Sequence, residues 1–295
     1  MSSFTQKLLR ASLILPQGTF AGTNNNTLVL TGNRMSATLE RAGNFTNTCN
    51  LQIFGMKQAD MNAVSVIFWQ GGNVQSINAR AVLKLEANNG GGWLQIFEGQ
   101  FQEGQPDYRA APDVCLSLQA SAGYGAQILS AAPSSTNGGA DAATLAQQLA
   151  TKMGFGFENN GVQATLQSPY LAGTLMEQFR DLADAAGFDY YFDAKSTLII
   201  CQRNQPRQNK TPAPVNAQTG MVGYPTIGRN GISVTVLFSP AIELGAPIKI
   251  TGSQVPGADG LWFPYNSTDE LESVKPNGRW FSTLLCSPAS AYAST

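Results

Sequence analysis

Apolar and polar side chains alternate without a break along the stretch that begins at residue 77. Ile77, Ala79, Ala81, Leu83 and Leu85 fall on one side, and Asn78, Arg80, Lys84 and Glu86 on the other. Successive side chains of a strand point to opposite faces, so this period of two predicts a strand with one buried and one wet face. Asn88-Asn89-Gly90-Gly91-Gly92 follows, built from residues that tolerate the positive φ of a chain reversal. A second arm then runs to Gly104, making a long hairpin that is polar along one whole face.

Similar patterns fill the first 120 residues. Strands are predicted at 5–15, 27–32, 34–43, 48–56, in the two hairpin arms and at 112–120, with a short helix or helical turn within "KQADMNAVSV". Many strands at short, turn-punctuated intervals point to a sandwich or barrel. The period then changes. Leu145, Leu149 and Met153 share one helix face, with Asp141 as N-cap and Gly154 just past the end. Leu175, Phe179, Leu182 and Ala186 repeat the design, and Gly187 ends that helix. Short strands at 188–193 and 196–202 complete an α+β unit over 121–203. The segment 204–222 is polar and proline-rich and reads as a linker. Strand-like alternation returns in 223–295, first as Ile232, Val234, Val236 and Phe238 against Ser233, Thr235 and Leu237. The expected class is therefore mainly β with an α+β insertion.

Composition narrows what such a chain can do. Charged residues are 13% of the total and the net charge is −1, against the basic excess of a free-standing nucleic-acid binder. Asn, Gln, Ser and Thr must wet the surface instead. That suits a part which packs into an assembly, although solubility alone also explains it. The sequence contains no histidine. Ser-His-Asp and Cys-His catalysis and the usual zinc sites are thereby excluded, and nothing points to carboxylate-only or lysine chemistry. Cys49, Cys115, Cys201 and Cys286 are widely scattered in apolar runs, where reduced thiols act as small hydrophobes. The N-terminal apolar run is broken by Arg10 and lacks the features of a signal peptide, and no stretch is apolar for long enough to cross a bilayer. Synthesis and folding in the cytoplasm follow as the default.

Other candidates have plainer readings. Asp259 in "GADG" and the "NNGGGW" run read as turns rather than phosphate cradles, because neither opens a helix after a strand. Glu177, Asp181 and Asp184 read as a solvated helix face. Asn266-Ser267-Thr268 has the form of a glycosylation triplet, which means little without a secretion signal. Trp262, Phe263 and Tyr265 could stack on a sugar in a carbohydrate-binding or wall-degrading module, but read first as packing. No catalytic, cofactor or metal residues are assigned.

Taken in order, several stretches resemble the baseplate hub proteins of contractile-tailed bacteriophages. "RMSATLERAGNFTNTCNLQIFGMKQADMNAVS" carries Ile53-Phe54-Gly55-Met56 and Asp60-Met61-Asn62 at the positions of the family's opening strand and turn. "IFEGQFQEGQPDYRAAPDVCLSLQAS" carries Phe97, Gly99, Tyr108, Pro112, Asp113 and Leu116 of its next signature. "LAQQLATKMGFGFENN" and "LMEQFRDLADAAGFDYYFD" are similar to its inserted domain, and "GMVGYPTIGRNGISVTVLFSP" to the start of its second barrel. The likeness runs from about 27 to 285, and its weight lies in the succession rather than in any one motif. It implies two tail-tube-like β-barrel domains, 1–120 and 223–295, flanking the α+β domain. It also implies a homotrimeric ring between a hexameric tail tube, or its initiator ring, and a trimeric central spike. Other baseplate proteins, the tape measure protein and DNA in transit complete the implied contacts, with no cofactor and a place in the virion tail. Under that resemblance Asn78, Arg80, Lys84, Glu86, Gln95, Gln100 and Gln102 border the central channel. The chain departs from larger family members in having little room for a further insert after residue 220, and a secretion-system spike base of the same fold is the neighbouring alternative.

Overall fold

A computed structural model describes residues 6–20, 25–65, 81–109 and 111–289. The predicted strand start at 77–80, with Asn78 and Arg80, lies outside the described residues. In chain order the first elements are β1 (Leu8–Ile14), β2 (Thr27–Thr31), β3 (Met35–Ala42), β4 (Thr48–Phe54), α1 (Gln58–Val64), β5 (Val82–Asn88), β6 (Trp93–Asp107) and β7 (Cys115–Ser121). Next come α2 (Tyr124–Ile128), β8 (Ser134–Ser135), β9 (Gly139–Asp141), α3 (Ala142–Met153), β10 (Gly156–Asn160), β11 (Thr165–Gln167), β12 (Tyr170–Leu171) and α4 (Leu175–Ala186). The chain continues through β13 (Phe188–Phe192), β14 (Thr197–Gln202), β15 (Ala213–Val215), β16 (Met221–Gly228) and β17 (Gly231–Leu237). It ends with β18 (Ile248–Ile250), β19 (Gly260–Ser273) and β20 (Trp280–Pro288). The architecture is mainly β with an α+β part, as the patterning predicts. Two compact units emerge, one of Met1–Glu40, Asn47–Tyr124 and Asp269–Phe281, the other of Arg41–Thr46, Gly125–Thr268 and Ser282–Thr295.

The first unit is built on an antiparallel sheet in the order β3-β4-β7-β6-β5-β1-β2. Its period-two sequences bury one face: Leu9, Ala11 and Leu13 from β1, Leu83 and Leu85 from β5, Leu51 and Ile53 from β4, and Met35, Ala37 and Leu39 from β3. Each large aliphatic group so covered stabilises the fold by roughly 1.5–3 kcal/mol. At the hairpin tip Gly90 and Gly92 adopt φ of 94° and 112°, which a side chain would strain, and the Gly90 amide donates to Asn88 Oδ1 at 2.6 Å. The short helix predicted before the hairpin is α1.

In the second unit β10-β14-β13 forms a sheet in which β10 runs parallel to β14. Asp141 caps α3 by accepting from the Thr144 amide at 2.8 Å, and Gly154 takes φ 82° at its end. Thr174 and Glu177 form a reciprocal capping box on α4, and Gly187 closes it at φ 69°. Both helices stand where the sequence puts them, but their buried stripes are rotated. On α3 the fully covered residues are Ala142, Ala146, Leu149 and Ala150, while Leu145 and Met153 are only partly buried. On α4 they are Met176, Gln178, Phe179, Leu182 and Ala183, with Leu175 and Ala186 at the margin. The covered face of α3 is mostly alanine, and that of α4 carries the large Met176, Phe179 and Leu182. The edge strand β10 has no counterpart among the predicted elements. In the segment 204–222 the structure shows β15, paired parallel to β18, and a buried arginine, Arg207. A separate apolar cluster gathers Val234, Val236, Ile248, Ile250, Leu284 and Cys286.

Candidate functional surface

The exposed face of the first unit's sheet is organised in rungs. One rung runs Glu40, Thr48, Ser121, Gln100, Val82 and Ile14 across adjacent strands, with Ser121 covered and the apolar Val82 and Ile14 half-buried at its end. A second runs Thr38, Asn50, Gln119 and Glu103, and a third Ser36, Gln52, Ser117 and Gln105. Amides and hydroxyls dominate them. Such groups hydrogen-bond water readily and hold no fixed charge.

Of the predicted face residues that are described, Lys84, Glu86, Gln95, Gln100 and Gln102 are all half-buried on this sheet. Strict alternation along β6 would set Gln95 opposite to Gln100 and Gln102. Two bulges change that arithmetic. The register shifts between Leu85 and Glu86, leaving Ile96 as the extra residue and setting Gln95 opposite Glu86. It shifts again between Phe101 and Glu103, where Gln102 is the extra residue and Glu103 comes opposite Gln119. A bulge adds one residue to one strand and sharpens local twist, so a strand of this length can bend with its sheet while keeping polar groups outward.

Four of the charges on this face meet in pairs. Arg10 Nε donates to Glu86 Oε2 at 2.6 Å and Arg10 Nη2 to Glu86 Oε1 at 2.5 Å, a two-pronged pair. The hydrogen bond to Glu86 raises the Arg10 pKa, so the guanidinium is permanently charged. It also lies 4.6 Å from the Trp93 ring centroid. Lys84 Nζ reaches Glu98 at 3.3 Å, and Gln95 Nε2 donates to Glu98 Oε2 at 2.9 Å. Arg10 and Glu98 were missed by the one-dimensional reading. Arg10 looked like a mere interruption of an apolar run, and only the pairing of β1 with β5 reveals its partner. At one end of the unit Arg34 pairs with Asp113 at 2.9 Å and covers the Phe54 ring at 3.8 Å. Nearby, hydrogen bonds from Arg109 hold the Asp107 carboxyl down at about 2.

No alternative chemistry gathers elsewhere among the described residues. No cluster of three or more Cys, Asp or Glu side chains is placed to hold a metal ion there. The cysteines are free and buried, and burial pushes the Cys201 and Cys286 thiols up to about 12, far from a nucleophile's range. Asp259 accepts from the Gly252 and Ser253 amides at 3.0 and 2.9 Å, which is turn chemistry. Glu177 serves the helix cap, and Asp181 and Asp184 are exposed. Phe263 is buried, and the Trp262 indole donates to the Ala258 carbonyl at 2.9 Å while packing on the apolar cluster, so these aromatics anchor structure. No helix among the described residues is long and apolar enough to cross a membrane.

Comparison with known proteins gives this surface its context. No curated protein sequence matches the chain. Among solved structures the chain is similar to a tail protein from Neisseria meningitidis MC58, with a TM-score of 0.62 at 10% identity over 94% of this chain and 95% of that one. It is similar to the 43 kDa tail protein of prophage MuSo2 from Shewanella oneidensis, with a TM-score of 0.59 at 10% identity over 97% of both chains. The E. coli c3393 protein is described as a type VI secretion component with structural similarity to T4 tail proteins gp27 and gp5. It gives a TM-score of 0.58 at 9% identity, over 88% of this chain and 74% of that one. At such identities the likeness shows a shared fold. The model of the family described as Baseplate hub gp41 matches residues 9–275. The chain therefore belongs to the baseplate hub gp41 family and is a structural hub component of a phage tail baseplate.

Proposed function

We propose that three copies of this chain form a ring at the centre of a contractile-tail baseplate, between a hexameric tail tube and a trimeric spike. The first unit's rungs face the central channel in that ring. A second barrel, formed by the C-terminal strands, supplies the other half of each subunit's share, so three chains present six similar sheets. The observation that carries this reading is the polar face itself, two rungs of which, Thr38-Asn50-Gln119-Glu103 and Ser36-Gln52-Ser117-Gln105, cross β3, β4, β7 and β6 without an apolar residue. A wall that passes a duplex needs water-binding groups and few free cations, because lysine and arginine contacts to phosphates would hold the cargo. Arg10 and Lys84 are answered by Glu86 and Glu98, and the rungs add the carboxylates of Glu40 and Glu103, so the wall is wet and offers a phosphate little to hold. Closure of the first unit's sheet is supported by the Leu9 amide, which donates to Ser273 Oγ at 3.1 Å at the end of β19.

The role is structural rather than enzymatic, in keeping with a chain devoid of histidine. The spike partner is inferred from the fold shared with c3393, whose description names a secretion system and T4 tail proteins. Light scattering on the purified chain, alone and co-expressed with its spike protein, tests the stoichiometry. Three copies per particle are expected. A persistent monomer in both samples at high concentration would overturn the ring.

A further inference from the structure

Within the second unit, the β10-β14-β13 sheet is covered on both faces. One face packs on α3 and α4 through Tyr190, Phe192, Leu198 and Ile200. The other carries Tyr191, Ile199 and Cys201, and these meet Leu244 from the loop before β18. The Tyr191 ring is gripped closely. A Cβ added at Gly43 or at Gly245 would stand 2.8 Å from it, so backbone alone fits on either side. Both glycines are in turn tied to β19, Gly43 through its amide to the Tyr265 carbonyl and Gly245 to that of Pro264, each at 2.8 Å. Asn44 adds a reciprocal set: its amide donates to the Tyr190 carbonyl at 2.9 Å, and its carbonyl accepts from the Tyr190 hydroxyl at 2.7 Å.

Arg207 closes the same junction with charge. Its side chain is 4% exposed. Nη2 donates to Glu158 Oε2 on β10 at 2.8 Å, and Nη1 to Glu243 Oε2 at 2.6 Å. Its amide donates to the Gly245 carbonyl at 2.7 Å, and Lys210 Nζ reaches Glu243 at 3.0 Å. A buried guanidinium is costly to desolvate and holds only where its fork is fully met, so this arrangement specifies one geometry.

We propose that Arg207 and Tyr191 form a latch that makes the α+β lobe and the β19 segment of its own unit one rigid lever. A partner pulling on the lobe then loads β19 directly, and the segment 204–222 does not absorb the displacement. The latch lies within one chain and does not depend on the ring.

Hydrogen exchange on the full chain tests it, read at the amides of Gly43, Asn44, Arg207 and Gly245. In the native protein they are protected to the same degree as β13 and β14. Arg207→Met accelerates their exchange by about 100-fold or more, while β13, β14 and α4 stay protected. Arg207→Lys, which keeps the charge but loses the fork, gives an intermediate rate. The milder Glu243→Gln reads the same amides should Arg207→Met not fold. Loop-like exchange of these amides in the native protein would overturn the latch. So would unchanged rates in the variants, or equal loss of protection in β13 and β14.

Discussion

Two of the molecule's arginine–carboxylate pairings serve different ends. On the first unit's sheet Arg10 and Glu86 face each other with their side chains 29% and 21% exposed, one rung of an open wall. In the second unit Arg207 is almost wholly covered and shared between two glutamates. Water reaches both partners at the first site, whereas at the second it reaches the two carboxylates but not the guanidinium between them. The open pair can neutralise a surface while adding little to stability, and the covered one can fix geometry because leaving it half-made is expensive.

That contrast can be broken in graded steps. The paired substitution Ala81→Asp with Leu83→Asp puts two charges into the covered face of the first unit, which should abolish its fold and tail assembly together. Normal tails from that mutant would refute the placement of the buried face. Phe179→Ala opens the core beneath α4 and should cost about 3–5 kcal/mol in denaturant unfolding of the lobe. Asp141→Ala removes the α3 cap for about 1 kcal/mol. Arg10→Met should cost no more than about 1 kcal/mol, less in high salt. The smallest change in stability belongs to Asn50→Lys with Gln119→Lys. It should leave the melting temperature within experimental scatter yet slow DNA release from assembled tails, through new phosphate contacts.

Acid separates the two sites further. Burial alone would raise the Glu158 carboxyl, but hydrogen bonds from Asn160 and Arg207 and the charges of Arg207 and Lys210 outweigh it and hold the carboxyl below its ordinary value. A depressed carboxylate stabilises fully above its unfolded pKa, and that contribution is lost as pH falls through the folded value. The Arg207 junction should therefore loosen below about pH 4.5, with Glu243 as its neighbouring carboxylate, and Glu158→Gln should remove that part of the pH dependence. Segment-resolved hydrogen exchange across a pH series measures it.

Much of this design is readable in one dimension. The alternation through Leu83 and Leu85 survives intact in β5, and Asp141, Gly154 and Gly187 bound their helices where cap chemistry puts them. Period-two and cap signals are local, so a sequence displays them directly. The bulges at Ile96 and Gln102 are not local. They answer to the twist of a whole sheet, and no residue in "LQIFEGQFQEG" announces them. Helix stripes were legible in part: Leu149, Phe179 and Leu182 are buried where the helical period puts them, while Leu145, Met153, Leu175 and Ala186 lie at the margin of the same core. Arg207 lay hidden for the opposite reason. Its polar, proline-rich surroundings read as linker, and only the return of the chain past β10 and the loop at Glu243 supplies its partners.

In the proposed ring the amide-lined rungs of the first unit look inward on a hollow axis shared by three chains. A cryo-electron microscopy reconstruction of the assembled tail, resolved to side chains at the hub, measures this directly. Lys84, Gln100 and Gln119 should lie on the lumen surface of a three-copy ring. A map with those residues buried against another protein, or facing the tail's exterior, would contradict it.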